Sequence, residues 1–586
     1  MTFLATCLVL GLRYLGLLQG LEWAAYDQFL RWHSATLNLP PDNRIKIITI
    51  DEADLHFGGQ AYVPDELLAQ MLRTVAAQRP VVIGLDLYRD LPVPPGQAAL
   101  QSALADIPNI VGIQKVGHPQ VAPPAILEDA GRAVANDFML DGDHRVRRGF
   151  LFVIDAQGQL YDAFAPYLAM WWLEDQGIYF EKQSEDRWRL GAASFNRFGA
   201  FDGGYVRAES SAHQLLINYR GVSPQFEAIP LREIVAGGLP PDWASDRIVL
   251  IGKIAESSAD RFATPLSGWD AFKPPTSLSG VEIQAHIIAQ VLDAATGDRP
   301  LIQVIPEPVE ILGICLWSTL GAITIGFGQA KDSDSALPTS IRHSRRLLHQ
   351  IGMVVSLLGG LILSSYLAFT QAIWLPIVPA VLGFVLAGSG IAFYTTNQVN
   401  QLRLKNANLN RLANVDGLTQ IANRRAFDIY LHQAFAQATQ KQDPIALILC
   451  DVDYFKRYND TYGHQVGDGC LQQIAQALNN VVQQPGSLVA RYGGEEFAII
   501  LPRLERAQVE AIATTIQRTL AQKALSHRTS EVSQWVTLSM GIAIALPSSM
   551  GLDATQLIRD ADQALYMAKQ EGRDRYCSLP PKQDMF

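Results

Sequence analysis

The sequence from Arg491 to Pro502 reads RYGGEEFAIILP and joins two apolar segments through glycines and glutamates. The apolar residues on both sides predict two strands connected by a tight turn. Gly493 and Gly494 lack a Cβ atom, so the backbone of the turn can lie close to a ligand. Two neighbouring carboxylates, Glu495 and Glu496, are unfavourable there unless a cation or a hydrogen-bond donor neutralises them. The turn is therefore predicted to bind a ligand.

A second acidic pair follows the apolar stretch Ile445–Cys450, where Asp451 and Asp453 mark the end of a predicted strand. Carboxylate oxygens suit Mg²⁺, which binds a few carboxylates together with phosphate oxygens. Neither acidic pair includes a His or Cys residue, which argues against zinc or iron. Either acidic pair alone is equally consistent with a solvated loop. The two pairs together, both at strand ends, predict a magnesium site.

Three further motifs lie around these pairs: DGLTQIANRRAF at 416–427, ILCDVDYFKRYNDTYGHQVGD at 448–468 and DADQALYMAKQEGRDR at 560–575. Together with the turn they resemble the GGDEF family of diguanylate cyclases, in its GGEEF form, over about residues 414–578. The resemblance implies an α+β domain at 416–580 that is nucleotidyl-cyclase-like, with a central and mostly antiparallel sheet. It also implies condensation of two GTP into cyclic di-GMP and two pyrophosphates.

The resemblance further implies a role for individual residues. Those implied to bind Mg²⁺ are Asp451, the backbone carbonyl of Val452, and Glu495. Those implied to bind GTP are Asn459 and Asp468 at the guanine edge with His464 close by, Gly493 and Gly494 beside the phosphates, and Lys456, Lys569 and Arg573 as neutralising cations. Lys456 is counted with Glu495 and Glu496 as catalytic, and which glutamate takes the proton from the attacking hydroxyl stays open.

One such domain holds one GTP, so the resemblance implies a homodimer. Family members under product inhibition carry an RxxD motif that begins nine residues before the first glycine of the turn. Gln484 and Ser487 stand at those positions. Because neither residue is charged, no feedback by this route is predicted.

The 586-residue chain has only 18% charged residues and a formal net charge of −10. Soluble proteins carry roughly 25% charged residues, and a negative balance gives no sign of a nucleic-acid partner. The missing charge reflects four apolar stretches, each about the length that a membrane-spanning helix needs. They are Phe3–Leu21, interrupted by Arg13, then Val309–Phe327, Ile351–Thr370 and Ile373–Tyr394.

The predicted organisation is a multidomain membrane protein of the bacterial inner membrane. Its parts are an anchor at 1–22, an outer domain at 23–305, three spans within 306–395 (about 309–328, 351–370 and 373–395), a helical linker at 396–415 and the inner domain at 416–580. Basic residues mark cytoplasmic loops, here Lys331, Arg342, Arg345 and Arg346 before the second of the three spans. Arg13 is expected to reach toward one membrane surface. No basic residue precedes the first apolar stretch, which suggests a natural start further upstream.

Short β-rich runs alternate with helical patterns in the outer region, which predicts an α/β domain. The runs are Ile45–Ile50, Val81–Leu87, Asn109–Ile113, Gly149–Ile154, Leu215–Tyr219 and Arg247–Ile251. Acidic residues at strand ends (Asp51, Glu52 and Asp86) either line a ligand crevice or only cap helices and bind water. Because no basic or His partner is expected near them, the second interpretation is favoured.

The outer region also contains GLEWAAYDQFLRW at 20–32, RIKIITIDEADL at 44–55, HRVRRGF at 144–150 and GVEIQAHIIAQVL at 280–292. These stretches resemble CHASE-type extracellular sensor domains, specifically the second CHASE family. The resemblance implies a sensory role for an unknown extracytoplasmic ligand. No cysteine lies in this region, so no disulfide stabilises it.

The linker 396–415 carries a weak heptad pattern, with Val399, Asn406 and Ala413 at one position and Leu402 and Leu409 at the other. Two copies can pair side by side, or the helix can pack on the following domain. A catalytically silent GTP-binding module is the alternative to an enzyme. Such a module is expected to lack one of Asp451, Glu495, Asn459 or Asp468, and all four are present.

Overall fold

The computed structural model describes residues 1–37, 39–57, 62–210, 212–221, 225–267, 277–330, 339–546 and 553–579, with only the backbone at 327–330, 339–347, 407 and 411. The chain forms two compact units, Met1–Thr395 and Thr396–Phe586. Lys331 and the side chains of Arg342, Arg345 and Arg346 lie outside the described part. The membrane orientation that they predict therefore stays a prediction.

The helices of the first unit are α1 Thr2–Tyr14, α2 Gln19–Thr36, α3 Glu52–Phe57, α4 Asp65–Ala76, α5 Gln97–Asp106, α6 Ala125–Asp129, α7 Phe164–Glu174, α8 Leu231–Val235, α9 Gly280–Thr296, α10 Glu307–Ala330, α11 Thr339–Thr370 and α12 Val378–Asn414. Its strands are β1 Ile45–Ile50, β2 Val82–Asp86, β3 Ile110–Gln114, β4 Ala133–Ala135, β5 Arg148–Phe150, β6 Phe152–Ile154, β7 Leu160–Asp162, β8 Phe180–Lys182, β9 Arg187–Leu190, β10 Ala193–Asn196, β11 Gln214–Leu216, β12 Glu227–Pro230, β13 Ile248–Lys253, β14 Arg261–Phe262, β15 Leu278–Ser279, β16 Gln303–Val304 and β17 Ile373–Trp374.

A six-stranded parallel sheet in the order β12-β1-β13-β2-β3-β4 forms the centre of the first unit. Successive side chains of a strand point to opposite faces, and both faces are buried. Ile47 and Leu250 pack in the core that contains α7 and α9. Ile48 and Ile251 pack in the core that contains α4 and α5. The predicted α/β domain is thus confirmed, with helices on both faces of the sheet.

The acidic strand ends have different surroundings. The Oδ1 atom of Asp51 accepts a hydrogen bond from Arg232 at 2.6 Å, and the Oε1 atom of Glu52 accepts one from the Ser257 N–H at 2.7 Å. The expectation that no basic partner lies near them was wrong for Asp51, because folding brings Arg232 to it from 181 positions away in the sequence. Asp51 and Glu52 therefore have structural partners, whereas Asp86 lines a cavity.

Three helices are long and apolar enough to cross a membrane, within Glu307–Gly326, Leu348–Thr370 and Val378–Asn414. The predicted single N-terminal span is not one straight helix. It divides into α1 and α2, which meet at an angle of 82° where Gly16 adopts a φ of +78°. A fourth span therefore depends on counting this bent pair as one.

Arg13 is buried and paired with an acidic residue of another apolar helix. Its side chain is 4% exposed and donates two hydrogen bonds to Glu310 at the start of α10, at 2.9 and 2.5 Å. A buried guanidinium is stable only when its charge is paired. The pair joins α1 to α10, which lie 297 residues apart in sequence.

A second buried arginine joins α2 to the sheet domain. Arg147 is 1% exposed and donates to both carboxylate oxygens of Asp27 on α2, at 2.8 and 2.9 Å. It also donates to Asp141 at 3.0 Å and lies over the Trp23 ring at 5.0 Å. Fork-like pairing of this kind fixes both partners in orientation. The helix that enters the domain is thus held by a neutralised charge cluster.

The second unit continues α12 and then contains helices α13 Arg424–Lys441, α14 Phe455–Tyr462, α15 His464–Val481, α16 Arg506–Lys523 and α17 Ala554–Gln570. Its strands are β18 Ile445–Val452, β19 Leu488–Gly493, β20 Glu496–Pro502, β21 Leu538–Ala545 and β22 Tyr576–Ser578. They form a five-stranded sheet in the order β19-β20-β18-β21-β22, antiparallel except for the β21–β22 pair. The predicted central and mostly antiparallel sheet is confirmed.

We expect Arg147→Met to destabilise the first unit by about 1–3 kcal/mol, because it removes the charge-assisted hydrogen bonds of Arg147 to two buried carboxylates. Of the cationic partners that the structure describes, Asp27 then keeps only Arg145, at 3.3 Å, and Asp141 keeps only Arg148, at 2.8 Å. Chemical unfolding of the full chain in detergent, followed by tryptophan fluorescence, measures the loss. Arg187→Met is the matched control, since Arg187 is exposed on β9. An equal effect of the two substitutions would contradict a structural role for the Arg147 cluster.

Candidate functional site

Two adjacent strands place the glycine turn at one end of the sheet of the second unit. β19 and β20 form a hairpin whose turn is Gly494–Glu495, with a register shift between Arg491 and Gly493. Gly494 has a φ of +48°, which L side chains rarely adopt. A Cβ atom added at Gly493 or Gly494 would meet no atom within 4 Å. The turn thus leaves open space above its backbone, as the two glycines predicted.

Arg491 holds this turn in place. Its guanidinium donates two hydrogen bonds to the carbonyl oxygen of Gly494, at 2.9 and 2.8 Å. The same guanidinium lies 3.2 Å from Asp416, whose Oδ1 atom also accepts hydrogen bonds from Thr419. The DGLT motif therefore stabilises the turn indirectly, because its first residue, Asp416, positions Arg491. Sequence reasoning missed this clamp, since only Arg491 stands next to the turn in the chain.

Strand pairing brings the acidic residues of two motifs together. Asp451 on β18 pairs with Glu496 on β20, and the Val452 N–H donates to the Glu495 carbonyl at 3.3 Å. Paired residues of antiparallel strands lie about 5 Å apart. Asp451, Glu495 and Glu496 therefore meet at the same end of the sheet, as the sequence predicted.

Lys569 on α17 is the cation of this cluster. Its Nζ atom lies 2.8 Å from Asp451 Oδ2. Burial raises the pKa of Asp451, the hydrogen bond from Lys569 opposes that shift, and the charge of Glu495 adds to it. Burial also raises the pKa of Glu496, with a further contribution from Asp451. One ammonium group therefore does not neutralise the three carboxylates fully.

Asp453 is not part of this cluster, contrary to its grouping with Asp451 in the sequence. It is 1% exposed and accepts hydrogen bonds from Ser539 at 2.6 Å, Thr537 at 2.8 Å and the Asp574 N–H at 3.2 Å. Both of its oxygens are thus engaged by β21 and by the loop before β22. A carboxylate with three donors in the protein is structural.

The remaining predicted site residues lie on α14, α15 and the loop after α17. Lys456, His464 and Asp468 are exposed, and their side chains form no hydrogen bond or ion pair with any residue that the structure describes. Asn459 has its Oδ1 atom buried without a hydrogen-bond partner in the described structure, next to the Cα of Gly467.

Arg573 makes contacts that the sequence did not predict. Its guanidinium stacks 4.5 Å from the Tyr454 ring and donates to the Tyr454 hydroxyl at 3.1 Å. Its Nε atom lies 3.9 Å from Asp453. Arg573 is thus held at the edge of the site by an aromatic ring that sequence reasoning did not single out.

The donor set fits a hard divalent cation. Asp451, Glu495 and Glu496 supply carboxylate oxygens, and their incomplete neutralisation by Lys569 leaves negative charge for a metal ion to balance. No group of three or more His, Cys, Asp and Glu with metal-binding geometry occurs within the described residues. The fit therefore requires further oxygen ligands from the backbone, a substrate or water, which is typical of Mg²⁺-like ions.

Comparison with known families identifies both parts of the chain. Residues 4–323 match the CHASE2 domain, more than half of the chain, and the chain belongs to this family. Residues 413–575 match the family described as diguanylate cyclase, GGDEF domain. Both resemblances predicted from the sequence are confirmed.

Individual relatives cover only part of the chain. A diguanylate cyclase of Vibrio cholerae is 34% identical over 207 residues, 35% of this chain and 61% of the relative. The response regulator PleD of Caulobacter vibrioides is 34% identical over 163 residues, 28% of this chain and 35% of the relative. The cyclic di-GMP phosphodiesterase PdeR of Escherichia coli is 30% identical over 203 residues, 34% of this chain and 30% of the relative. The chain thus spans less than two thirds of the length of each.

Among solved structures, the coiled coil and GGDEF domain of DgcB from Caulobacter crescentus, in complex with c-di-GMP, is 35% identical. It covers 33% of this chain and 98% of its own, with a TM-score of 0.29. The GGEEF domain of a diguanylate cyclase from Vibrio cholerae is 31% identical and covers 28% of this chain and all of its own, with a TM-score of 0.25.

We expect Glu496→Gln to stabilise residues 396–586 at neutral pH. Because the folded-state pKa of Glu496 is raised, its ionisation opposes folding as pH rises from the unfolded pKa of about 4.3 to the raised folded value. The gain of the variant should be absent below about pH 4 and constant above the raised pKa. Urea unfolding at a series of pH values measures it.

Asp428→Asn on the exposed face of α13 is the control for this measurement. It should leave the pH dependence of unfolding unchanged. A loss of stability of Glu496→Gln at neutral pH would contradict the incomplete neutralisation of the cluster.

Proposed function

We propose that the protein is a membrane-bound receptor enzyme that condenses two GTP into cyclic di-GMP and two pyrophosphates. The observation that carries the proposal is the under-neutralised cluster of Asp451, Glu495 and Glu496, next to a glycine turn with open space above it. Carboxylates whose negative charge is not fully balanced are suited to hold the metal ion that accompanies a triphosphate. The GGDEF match and relatives named as diguanylate cyclases support the same reaction.

Each residue of the site has a proposed task. Asp451, the Val452 carbonyl and Glu495 hold Mg²⁺, which when bound stabilises negative charge on the reacting phosphate. Asn459 and Asp468, with His464 close by, accept and donate hydrogen bonds at the guanine edge. Lys456, Lys569 and Arg573 balance the phosphates, and Gly493 and Gly494 let them approach the backbone. Glu495 or Glu496 accepts the proton of the ribose 3′-hydroxyl as it attacks the α-phosphate of the second GTP.

The reaction joins two nucleotides, so two such domains have to meet in a homodimer. Helix α12 continues from an apolar segment into the linker as one helix that ends at Asn414. Within the second unit, Val399, Leu402 and Leu409 are 45%, 58% and 62% exposed. An exposed heptad seam favours pairing with a second copy over packing on the following domain. Changes in this pairing are the proposed route of control by the sensor.

The proposed domain bounds follow the sequence: the anchor at 1–22, the extracytoplasmic CHASE-type sensor at 23–305, the spans within 306–395, the linker at 396–415 and the cyclase at 416–580. The sensor lies on the extracytoplasmic side of the bacterial inner membrane, and the cyclase lies in the cytoplasm. The apolar helices and the CHASE2 match support this arrangement.

We expect Glu495→Ala to reduce cyclic di-GMP synthesis by residues 396–586 at least about 100-fold, because it removes a carboxylate that is proposed to hold the Mg²⁺ ion. Chromatographic detection of cyclic di-GMP after incubation with GTP and Mg²⁺ measures the effect. Asp428→Asn serves as the control of unchanged activity. If the wild type binds GTP but makes no product even when fused to a dimerising helix, the protein is a silent GTP-binding module and the enzyme proposal fails.

We expect no product inhibition at submicromolar cyclic di-GMP. Gln484 and Ser487 bear no charge, and the Ser487 hydroxyl is occupied by a hydrogen bond to the Gln484 carbonyl at 2.7 Å. Neither side chain offers the ionic contact that retains a cyclic dinucleotide. Initial rates with added cyclic di-GMP test this. Inhibition that disappears in Gln484→Ala or Ser487→Ala would refute it.

A further inference from the structure

A large cavity lies in the first unit at the carboxyl ends of its parallel strands. Its volume is about 1350 Å³, and it lies against Asp86 at the end of β2, Lys115 after β3, Asn136 after β4 and Lys253 at the end of β13. In open parallel sheets, ligands bind outside the carboxyl ends of the strands. The position and size therefore fit a small organic molecule.

Asp86 is the polar centre of this cavity. Asp86 is buried, with 6% of the residue exposed, and its Oδ1 atom accepts a hydrogen bond from Asn136 Nδ2 at 2.6 Å. The Asn136 Oδ1 atom in turn accepts from Gln284 at 2.5 Å, which fixes Asn136 as the donor to Asp86. The second oxygen of Asp86, Oδ2, is buried without a hydrogen-bond partner in the described structure. A buried acceptor left free in this way is costly unless a ligand donates to it.

A second carboxylate increases the demand for a cation. Asp260 lines the same cavity, and burial raises the pKa of Asp86, with a further contribution from the charge of Asp260. Burial likewise raises the pKa of Asp260, to about 6. Neither carboxylate forms an ion pair with any residue that the structure describes. An ammonium group placed between them would satisfy the free oxygen and balance the charge.

Basic residues face the same cavity, and Lys253 attracts Asp260 electrostatically without forming a close ion pair with it. Lys253 has its Nζ atom 4.9 Å from the centre of the Tyr62 ring, and burial lowers its pKa. Lys115 also lines the cavity, and neither lysine has an ion-pair partner in the described part of the chain. Arg89 is already paired with Asp65 at 3.8 Å. A ligand that carried only positive charge would meet repulsion from Lys253, and one that carried only negative charge would meet it from Asp86 and Asp260.

The rest of the lining is aromatic and apolar. Phe138 and Phe262 form a ring pair with centroids 4.8 Å apart, and Tyr62 and Tyr88 complete that side of the cavity. Aromatic faces bind apolar groups and the ammonium ions beside them. The ligand therefore needs an apolar group in addition to its two charges.

We infer that this cavity binds a small zwitterion with an apolar side chain, of the class of free amino acids, with its ammonium group at Asp86 and Asp260 and its carboxylate at Lys253. Binding of this ligand is independent of the proposed cyclase activity. That this ligand is the signal sensed by the receptor rests on the proposed function.

L-Phenylalanine and L-leucine are the probes, and 2-phenylethylamine and 3-phenylpropionate are the matched analogues that lack one charge each. Titration calorimetry on the full chain in detergent, without GTP, measures binding. We expect the amino acids to bind and each analogue to bind at least about tenfold more weakly. Asp86→Asn and Lys253→Met should each reduce the affinity for L-phenylalanine by at least about tenfold. Asp129→Asn, at an exposed residue of α6 outside the cavity, should leave it unchanged.

The inference would be overturned if neither amino acid bound to the wild-type chain at a ligand concentration of about 10 mM, which would detect even a dissociation constant in the millimolar range. The inference would also be overturned if 2-phenylethylamine or 3-phenylpropionate bound as tightly as L-phenylalanine, since one of the two charged groups would then be unnecessary for binding. The wild-type comparison of the four probes needs no variant to fold. Because GTP is absent, a failure here is distinguishable from a failure of the cyclase proposal, which is read from cyclic di-GMP alone.

Discussion

The pairing of Asp451 with Glu496 is the constraint on which the candidate cyclase site depends. Antiparallel pairing of β18 and β20 fixes these two residues opposite one another, and the turn that follows brings Glu495 to the same end of the sheet. A shift of one residue would turn every side chain of a strand to the other face. The apolar residues that fill both faces of the sheet therefore hold the carboxylates together against their repulsion.

Local patterns predicted the hairpin and the central strand, because apolar runs and glycine turns report backbone conformation directly. They grouped Asp453 wrongly with Asp451. Residues two apart share a face only while a strand continues, and β18 ends at Val452, with Tyr454 at a φ of +57°. The chain leaves the strand there and directs Asp453 toward β21, where Thr537 and Ser539 bind it.

Contacts between distant parts of the sequence were beyond prediction. The partner of Arg13 is 297 residues away, and that of Asp51 is 181 residues away. A single sequence records composition and spacing but not which remote side chains meet. For the same reason, the acids at strand ends gave no sign that Lys253 and Lys115 share a cavity with Asp86. The fold class was predictable from periodicity, whereas the charge balance at each site required coordinates.

Two groups can be distinguished among the buried and half-buried carboxylates of this protein. Those of the first group have partners within the protein and a structural role, and those of the second are incompletely partnered and lie at the candidate binding sites. Asp27 and Asp141 are paired with arginine, and Asp453 accepts hydrogen bonds from three donors. Asp86 and the Asp451 cluster are left with unmet demand for positive charge or donors. Folding alone would favour an amide or an apolar residue at such positions, because an unpaired buried charge destabilises the native state. The two proposed partners from outside the chain, a metal ion in one unit and an ammonium group in the other, would each supply the positive charge that these carboxylates lack.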